Sequence, residues 1–441
     1  MDKPVQDQLK RNLAKWQEHL NQLGSHLTGS YGHVAFIEWL KTELLNMQYD
    51  LKNCTQFFNY CEVNYWRLRV QKPDGSFEEV QPIGYVPYSG LTSANGITGT
   101  LTRWNKFNQK KIKNKLVLLD VYPYKANRHM LYKVYSQLPY GFNLPSKLIQ
   151  PAIISQHIIT LIKKIRNLGA SGIILICHHF PEKLMKNNIL PFTDTYLGIP
   201  TLWINQKNAA CLIAAAAQNK KVCLTLTGTY HKKWRTESLA VTIPGTLQNS
   251  KSIIISSHTD GPNSIEGNGP LGVLAILKYF HDQKIVPQKN LHFLFISGHS
   301  QLSQLGKKEH SATTNWLTHY PEYWDGKKDH QKALLCLTME HLGSLKFSKE
   351  NIFYASTRTT RKLIIHFSKT NQLNNKKILV SPRKCFYLSR TNAYKIPTIS
   401  LTPLPLYLFQ LTDKQVTPDS DVMFKQIFYY LNLLLLADKK L

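Results

Sequence analysis

The 441-residue chain has no C-x-x-C pair, no apolar run as long as a membrane span, and only 27 acidic residues against 55 lysines and arginines. Each shortage excludes something. Without C-x-x-C spacing, the seven cysteines offer neither a zinc ribbon nor a thioredoxin-like redox motif. Cys177, Cys211, Cys223 and Cys336 lie in apolar runs and are expected to be buried thiols, as in a reducing compartment. Cys54 and Cys61 could pair. The longest apolar stretch, Ile427 to Ala437, contains two tyrosines and an asparagine. It falls short of the roughly 18 residues a spanning helix needs and reads as a buried terminal helix. Met1 to Leu20 is polar and lacks the apolar centre of a secretory signal. The expectation is a cytoplasmic protein, or one exported without a recognisable signal peptide.

The scarcity of acidic residues leaves a net charge of +28. A balance that basic suits a polyanion, an anionic membrane surface or an acidic substrate. The basic residues nevertheless come as scattered pairs such as Lys110-Lys111, Lys232-Lys233 and Lys376-Lys377, not as one arm. Such pairs read as solvated surface, so binding to nucleic acid is expected to be non-specific. The hydrophobic share of 43% is ample for burial and excludes wholesale disorder, and the length suits about two or three domains.

Along the chain, Leu9, Leu13, Trp16, Leu20 and Leu23 recur at helical spacing before Gly24. Leu27-Thr28-Gly29-Ser30 is a turn, and a second helix is expected from His33 to Met47. Phe57 to Val70 alternates as a strand, and the Gly/Pro/Ser/Thr-rich stretch from Pro82 to Gly99 looks like a domain crossing. Strands are then expected at Lys115–Asp120, Gly172–Cys177, Ile199–Ile204 and Val222–Thr227, with helices at Ile153–Leu168 and Ala209–Ala217. No pattern is clear from Tyr122 to Pro145. His231 to Arg235 reads as a return crossing before a strand at Ser238–Ile243.

Ser252 to Ser300 concentrates the polar chemistry. An apolar strand (Ile253, Ile254, Ile255) leads into His258-Thr259-Asp260-Gly261-Pro262-Asn263, then Glu266-Gly267-Asn268-Gly269 and a helix. A second strand, Leu291 to Ile296, ends at Ser297-Gly298-His299-Ser300. This is a βαβ unit, and ligands of such sheets gather at the carboxyl ends of the strands.

The line Leu23 to Ser30, the strand ending Ile243-Pro244-Gly245, and His258-x-Asp260 ahead of Asn268-Gly269 together resemble the co-catalytic zinc aminopeptidases. That family also includes glutaminyl cyclases and the non-peptidase domain of transferrin receptor. The middle of the chain, with Leu168-Gly169-Ala170-Ser171-Gly172-Ile173 and Gly198-Ile199-Pro200, resembles a protease-associated (PA) domain. The resemblance implies an α/β fold: a three-layer core around a mixed sheet, with a smaller PA-like α/β insert. Residues 1–84 and 232–441 would form the core domain and 85–231 the insert.

The resemblance also implies site roles, position by position. His258 matches a first-zinc histidine, Asp260 the carboxylate that orients it through its other ring nitrogen, and Glu340 an acidic ligand of the same zinc. Gly267 stands where the family has a bridging aspartate, and His299-Ser300 where it has a pair of glutamates, base and second-zinc ligand. The segment Pro405 to Lys414 holds no histidine for the second zinc. At most one zinc is therefore expected. Glu266 reads either as a substitute third ligand or as a cap on the helix near Gly269. His299 reads either as a general base, since imidazole titrates near 6.5, or as a filler of the old cavity. His341 is expected to face away from Glu340, because strand neighbours alternate.

Three functions fit these residues. One is a non-catalytic descendant of a zinc aminopeptidase that binds a peptide or protein. Another is a one-metal hydrolase with zinc at His258 and Glu340 and His299 as base. The third is a basic scaffold for nucleic acid or anionic membrane.

Overall fold

The computed structural model describes the chain except residues 1, 106, 108, 124–125, 128–135, 139–146, 149–150, 181–189, 191–193, 195, 248–250, 300–318, 324–331, 345–351, 371–376, 381–395, 404–407 and 411–416. Most of Tyr122–Pro145, Ser300 and most of Pro405–Lys414 therefore lie outside the described residues.

The centre is a run of strands whose residues are apolar on both faces. Ser252–His258 is flanked on both sides by parallel strands, Asn290–Ile296 and Ala333–Met339, and the latter pairs in parallel with Thr398–Leu401. Strands buried on both faces read as continuous Ile/Leu/Phe runs, which is what Ile253–Ile255 and Leu291–Ile296 supply. The helix Gly269–Asp282 crosses from the first strand to the second. Pro270 sits in its first turn, where a missing N–H costs nothing. Its residues Leu271 to Leu277 are all buried, because it lies between the sheet and two further helices, Lys3–Leu23 and Ser420–Lys440. On the opposite face Ile254, Leu294 and Cys336 pack with Tyr320 and Tyr323.

The sheet continues past this centre. Lys221–Ile243 is a single strand that pairs with Asn290–Ile296 at one end and Ile97–Arg103 at the other. The return crossing expected at 231–235 does not interrupt it. His231, Trp234 and Arg235 pair with another long strand, Leu51–Gln71, whose ladder runs from Leu51 opposite Val241 to Val70 opposite Val222. These three are thus held in the ladder, with a bulge at Lys232 and Lys233, the latter at φ 57°, and a second shift of register near Val63.

At the far end of this ribbon a second set of strands runs Thr201–Asn205, Gly172–Cys177, Leu116–Val121, Ile97–Arg103. Alternation sorts their side chains. Val117, Leu119, Ile173 and Leu175 pack against Ile158, Ile159, Ile162 and Ile165 of the helix Pro151–Asn167. Leu116, Leu118, Ile174 and Ile176 pack against Ala209, Leu212 and Ala215 of the helix Gln206–Ala217. Leu68, Val70 and Val80 join this second group, so the chain passes from one core to the other within the ribbon, ahead of residue 84.

Two expectations about cysteine are corrected. Cys211 is exposed, because it falls on the outward side of the Gln206–Ala217 helix. Cys54 and Cys61 share one extended strand seven positions apart, roughly 23 Å at about 3.3 Å per residue, far beyond disulfide reach.

Candidate metal centre

The three parallel strands end together, and each delivers polar residues at its carboxyl end. His258 is the last residue of Ser252–His258, His299 follows Asn290–Ile296 by three positions, and Glu340 and His341 follow Ala333–Met339. Glu266 arrives from the loop between strand and helix. Its backbone N–H donates to Asn263 Oδ1 at 3.0 Å, and its carboxylate lies over Gly261, where a Cβ would meet Glu266 Oε2 at 2.0 Å. All five predicted residues, His258, Asp260, Glu266, His299 and Glu340, are brought together, none more than 3% exposed. Glu266 Oε1 is 3.9 Å from His258 Nε2 and 4.0 Å from His299 Nε2, and the two imidazoles stack at 4.0 Å and 14°.

Asp260 positions the site differently from the expectation. His258 Nδ1 meets the backbone carbonyl of Asp260 at 2.8 Å. The Asp260 carboxylate accepts from the Thr28 hydroxyl and from the backbone N–H groups of Gly298 (3.0 Å) and His299 (2.9 Å). It therefore clamps the 27–30 turn and the 297–299 loop to the strand end, while its main chain orients the imidazole. The Glu340–His341 loop is clamped by Asn268, whose side chain accepts from Leu342 N (2.8 Å) and donates to Leu342 O (2.9 Å). Glu266 does not cap the Gly269–Asp282 helix: that N-cap is Asn268, and the Glu266 carboxylate faces the imidazoles.

Two histidines enter the site that sequence reasoning placed elsewhere or passed over. His341 turns back toward His258 and Glu340, because its strand has already ended at Met339 and its backbone is left-handed at φ 55°. Strand alternation does not apply past the strand end. Its Nδ1 faces the Pro403 carbonyl. His26 is fully buried beside Gly267, and a Cβ added at Gly267 would fall 1.8 Å from His26 Nε2. The slot from which an aspartate at 267 would project is thus filled by an imidazole. Glycine is what that packing admits.

Burial governs the charges. It pushes the imidazoles of His26 and His33 down to about 4 and that of His341 to about 3, and it lowers His258 and His299 as well. It raises Glu340 to about 8 and Glu266 well above the carboxylate range, the latter helped by Asp260 and Glu340 nearby. Burial works against Asp260 too, but the surrounding imidazoles and the Thr28 hydroxyl hold it at about 2.

A divalent ion fits this set. His258 Nε2 and the Oε2 atoms of Glu266 and Glu340 are buried and have no hydrogen-bond partner among the described residues. Unsatisfied buried polar atoms are costly and call for an ion or water. Imidazole and carboxylate are zinc's usual ligands, and the candidate donors grouped around His258 lie within 4.8 Å of one another.

No family model and no curated protein matches the sequence. Solved structures resemble it in fold. The fold is that of the co-catalytic zinc aminopeptidases: a mixed α/β core around a large mixed sheet. A peptidase M28 precursor from Shewanella amazonensis shares 13% identity over 99% of this chain and 97% of that one, with a TM-score of 0.67. A zinc aminopeptidase from Bacillus subtilis shares 12%, over 98% and 95%, at 0.65, and an aminopeptidase from Aneurinibacillus sp. shares 12%, over 96% and 93%, at 0.63.

Proposed function

We propose that the chain is a zinc-aminopeptidase-fold protein that binds a peptide or protein segment at the strand ends, with one zinc at most and without efficient hydrolysis. Residues up to the ribbon and after it would form the core, and the middle segment a PA-like insert flanking the site. His258 and Glu340 would hold the ion, with water or a further side chain completing its shell. A zinc there supplies a Lewis acid for a peptide carbonyl or terminal carboxylate.

The observation that carries this reading is His299. It stands where the resemblance calls for a carboxylate base, and its imidazole is buried, stacked on His258 and depressed far below 6.5. A base so weakened is poorly matched to water activation near neutral pH. That weighs against the one-metal hydrolase with His299 as base. Asp260, by tying the 297–299 loop to the strand end, would keep this arrangement fixed.

The test is an aminoacyl-anilide assay on the full chain with zinc or cobalt added, beside calorimetric titration with a mixed peptide library. Binding without turnover is the expected outcome. Robust hydrolysis abolished by His299→Ala would establish the hydrolase instead.

A further inference from the structure

We infer that the third protein ligand of the ion is His341, so that it rests on His258, Glu340 and His341 while Glu266 and His299 remain outside its coordination. The inference rests on the proposal that the site holds one divalent ion, and names the residues that hold it.

Two sets of three donors can be drawn among the described residues, His258–Glu266–His299 and His258–Glu340–His341, each with its ligating atoms within 4.8 Å of one another. Both need His258. Its Nδ1 is engaged by the Asp260 carbonyl, which leaves Nε2 alone to bind, and one nitrogen lone pair serves one ion. The two sets exclude each other.

Ring geometry chooses between them. An imidazole lone pair lies in the plane of its ring. The rings of His258 and His299 are nearly parallel, 14° apart with centroids 4.0 Å apart, so their lone pairs lie in two nearly parallel planes. An ion between them would sit well out of at least one ring plane. The rings of His258 and His341 meet at 68°, so their planes cross steeply and their lone pairs can converge.

The surroundings are built for that choice. A metal-bound histidine commonly gives its other N–H to a carbonyl, which fixes the tautomer. His258 does this with Asp260 O, and His341 with Pro403 O. Glu340, the carboxylate of the set, is fully buried with Oε2 lacking a hydrogen bond among the described residues. Two imidazoles and one carboxylate favour zinc, cobalt, nickel or copper over magnesium and calcium, which prefer all-oxygen shells.

The experiment is cobalt and zinc titration of the full chain purified without chelator, reading bound metal per chain and the cobalt visible spectrum. The variants are His341→Asn, Glu266→Gln and His299→Ala. Asparagine is chosen at 341 because it tolerates a left-handed backbone. The wild type should take one ion. His341→Asn should weaken binding at least tenfold and change the cobalt spectrum, while the other two leave affinity and spectrum unchanged. Loss of binding in Glu266→Gln or His299→Ala, with His341→Asn unaffected, would move the ion to the other set and overturn the inference, while leaving the one-ion proposal standing. No ion, or two, in the wild type would overturn both. The Glu266 and His299 variants decide between the sets even where His341→Asn fails to fold.

Discussion

Replacing Gly267 by alanine is expected to destabilise the protein by about 2–4 kcal/mol, from overpacking of a buried site plus one disturbed hydrogen bond. The added Cβ would lie 1.8 Å from His26 Nε2 and 2.7 Å from its Cδ2, where ordinary contact begins at 3.4 Å. The imidazole has little room to yield. His26 is fully buried, its backbone is bridged to Gly261 by two hydrogen bonds of 3.0 Å, and Nδ1 is held to Gly24 O at 2.9 Å. His26→Ala removes the obstacle at the expense of packing, while losing no hydrogen bond at Nε2. The double variant should therefore be more stable than the sum of the single changes by at least about 1 kcal/mol. Urea unfolding followed by tryptophan fluorescence measures all four corners of the cycle. Gly267→Ala within about 0.5 kcal/mol of wild type, or strictly additive changes, would refute the claim that His26 enforces glycine. If the claim holds, Gly267→Asp alone cannot restore a bridging carboxylate, because His26 must leave first.

Three further outcomes are expected. Asp260→Ala strips the acceptor from two backbone N–H groups and the Thr28 hydroxyl in a buried site, and should cost about 3 kcal/mol or more in a denaturant melt; a loss under about 1 kcal/mol would contradict the clamp. His292, stacked on Tyr323, is lowered to about 3 by burial and by Lys332 and Lys52. Its folded form binds fewer protons than the unfolded chain, so stability is lost as pH falls from about 6.5 toward 3. At pH 5 His292 accounts for about 2 kcal/mol of loss, and His292→Gln should make the profile shallower by about that amount, the remaining slope coming from the other buried histidines. With basic pairs spread along the chain, retention on DNA should vanish steeply with salt and show no sequence preference, whereas sequence-selective retention at high salt would make nucleic acid a specific partner.

Much of the core was legible because its physics is local. Gly172–Cys177 was read to the residue, since a six-residue apolar run between a turn and a polar stretch admits few alternatives. The βαβ unit was legible for the same reason, with Pro270 and the Ile and Leu runs marking each element. The ribbon was not. Residues 228–235 carry charges and no alternation that separates them from a loop. Only pairing with 57–63, some 170 positions away, makes them a strand. Cys211 misled in a similar way, because an alanine-rich helix looks apolar all round and hides which side faces solvent.

The site was legible as a set of residues and misread in its geometry. His258, Glu266, His299 and Glu340 were found by type and position, yet what each one faces depends on where backbone conformation changes. His341 makes the point. Alternation does not extend two residues past the last ladder pair, Met339 with Leu401, onto a residue with φ 55°. The signal was two positions further on: Gly343, at φ 75°, marks a tight turn, so the strand rule expires before it is reached. His26 left less trace. Nothing in Gly24-Ser25-His26 announces that its ring will occupy the space beside Gly267, because that contact joins residues 241 positions apart. What was visible was the other half of the pair, a glycine at 267 where the resemblance called for a carboxylate. A missing side chain in a packed interior leaves a volume that something must fill. Here the imidazole of His26 fills it, from the turn that leads into Leu27-Thr28-Gly29-Ser30, itself part of the resemblance.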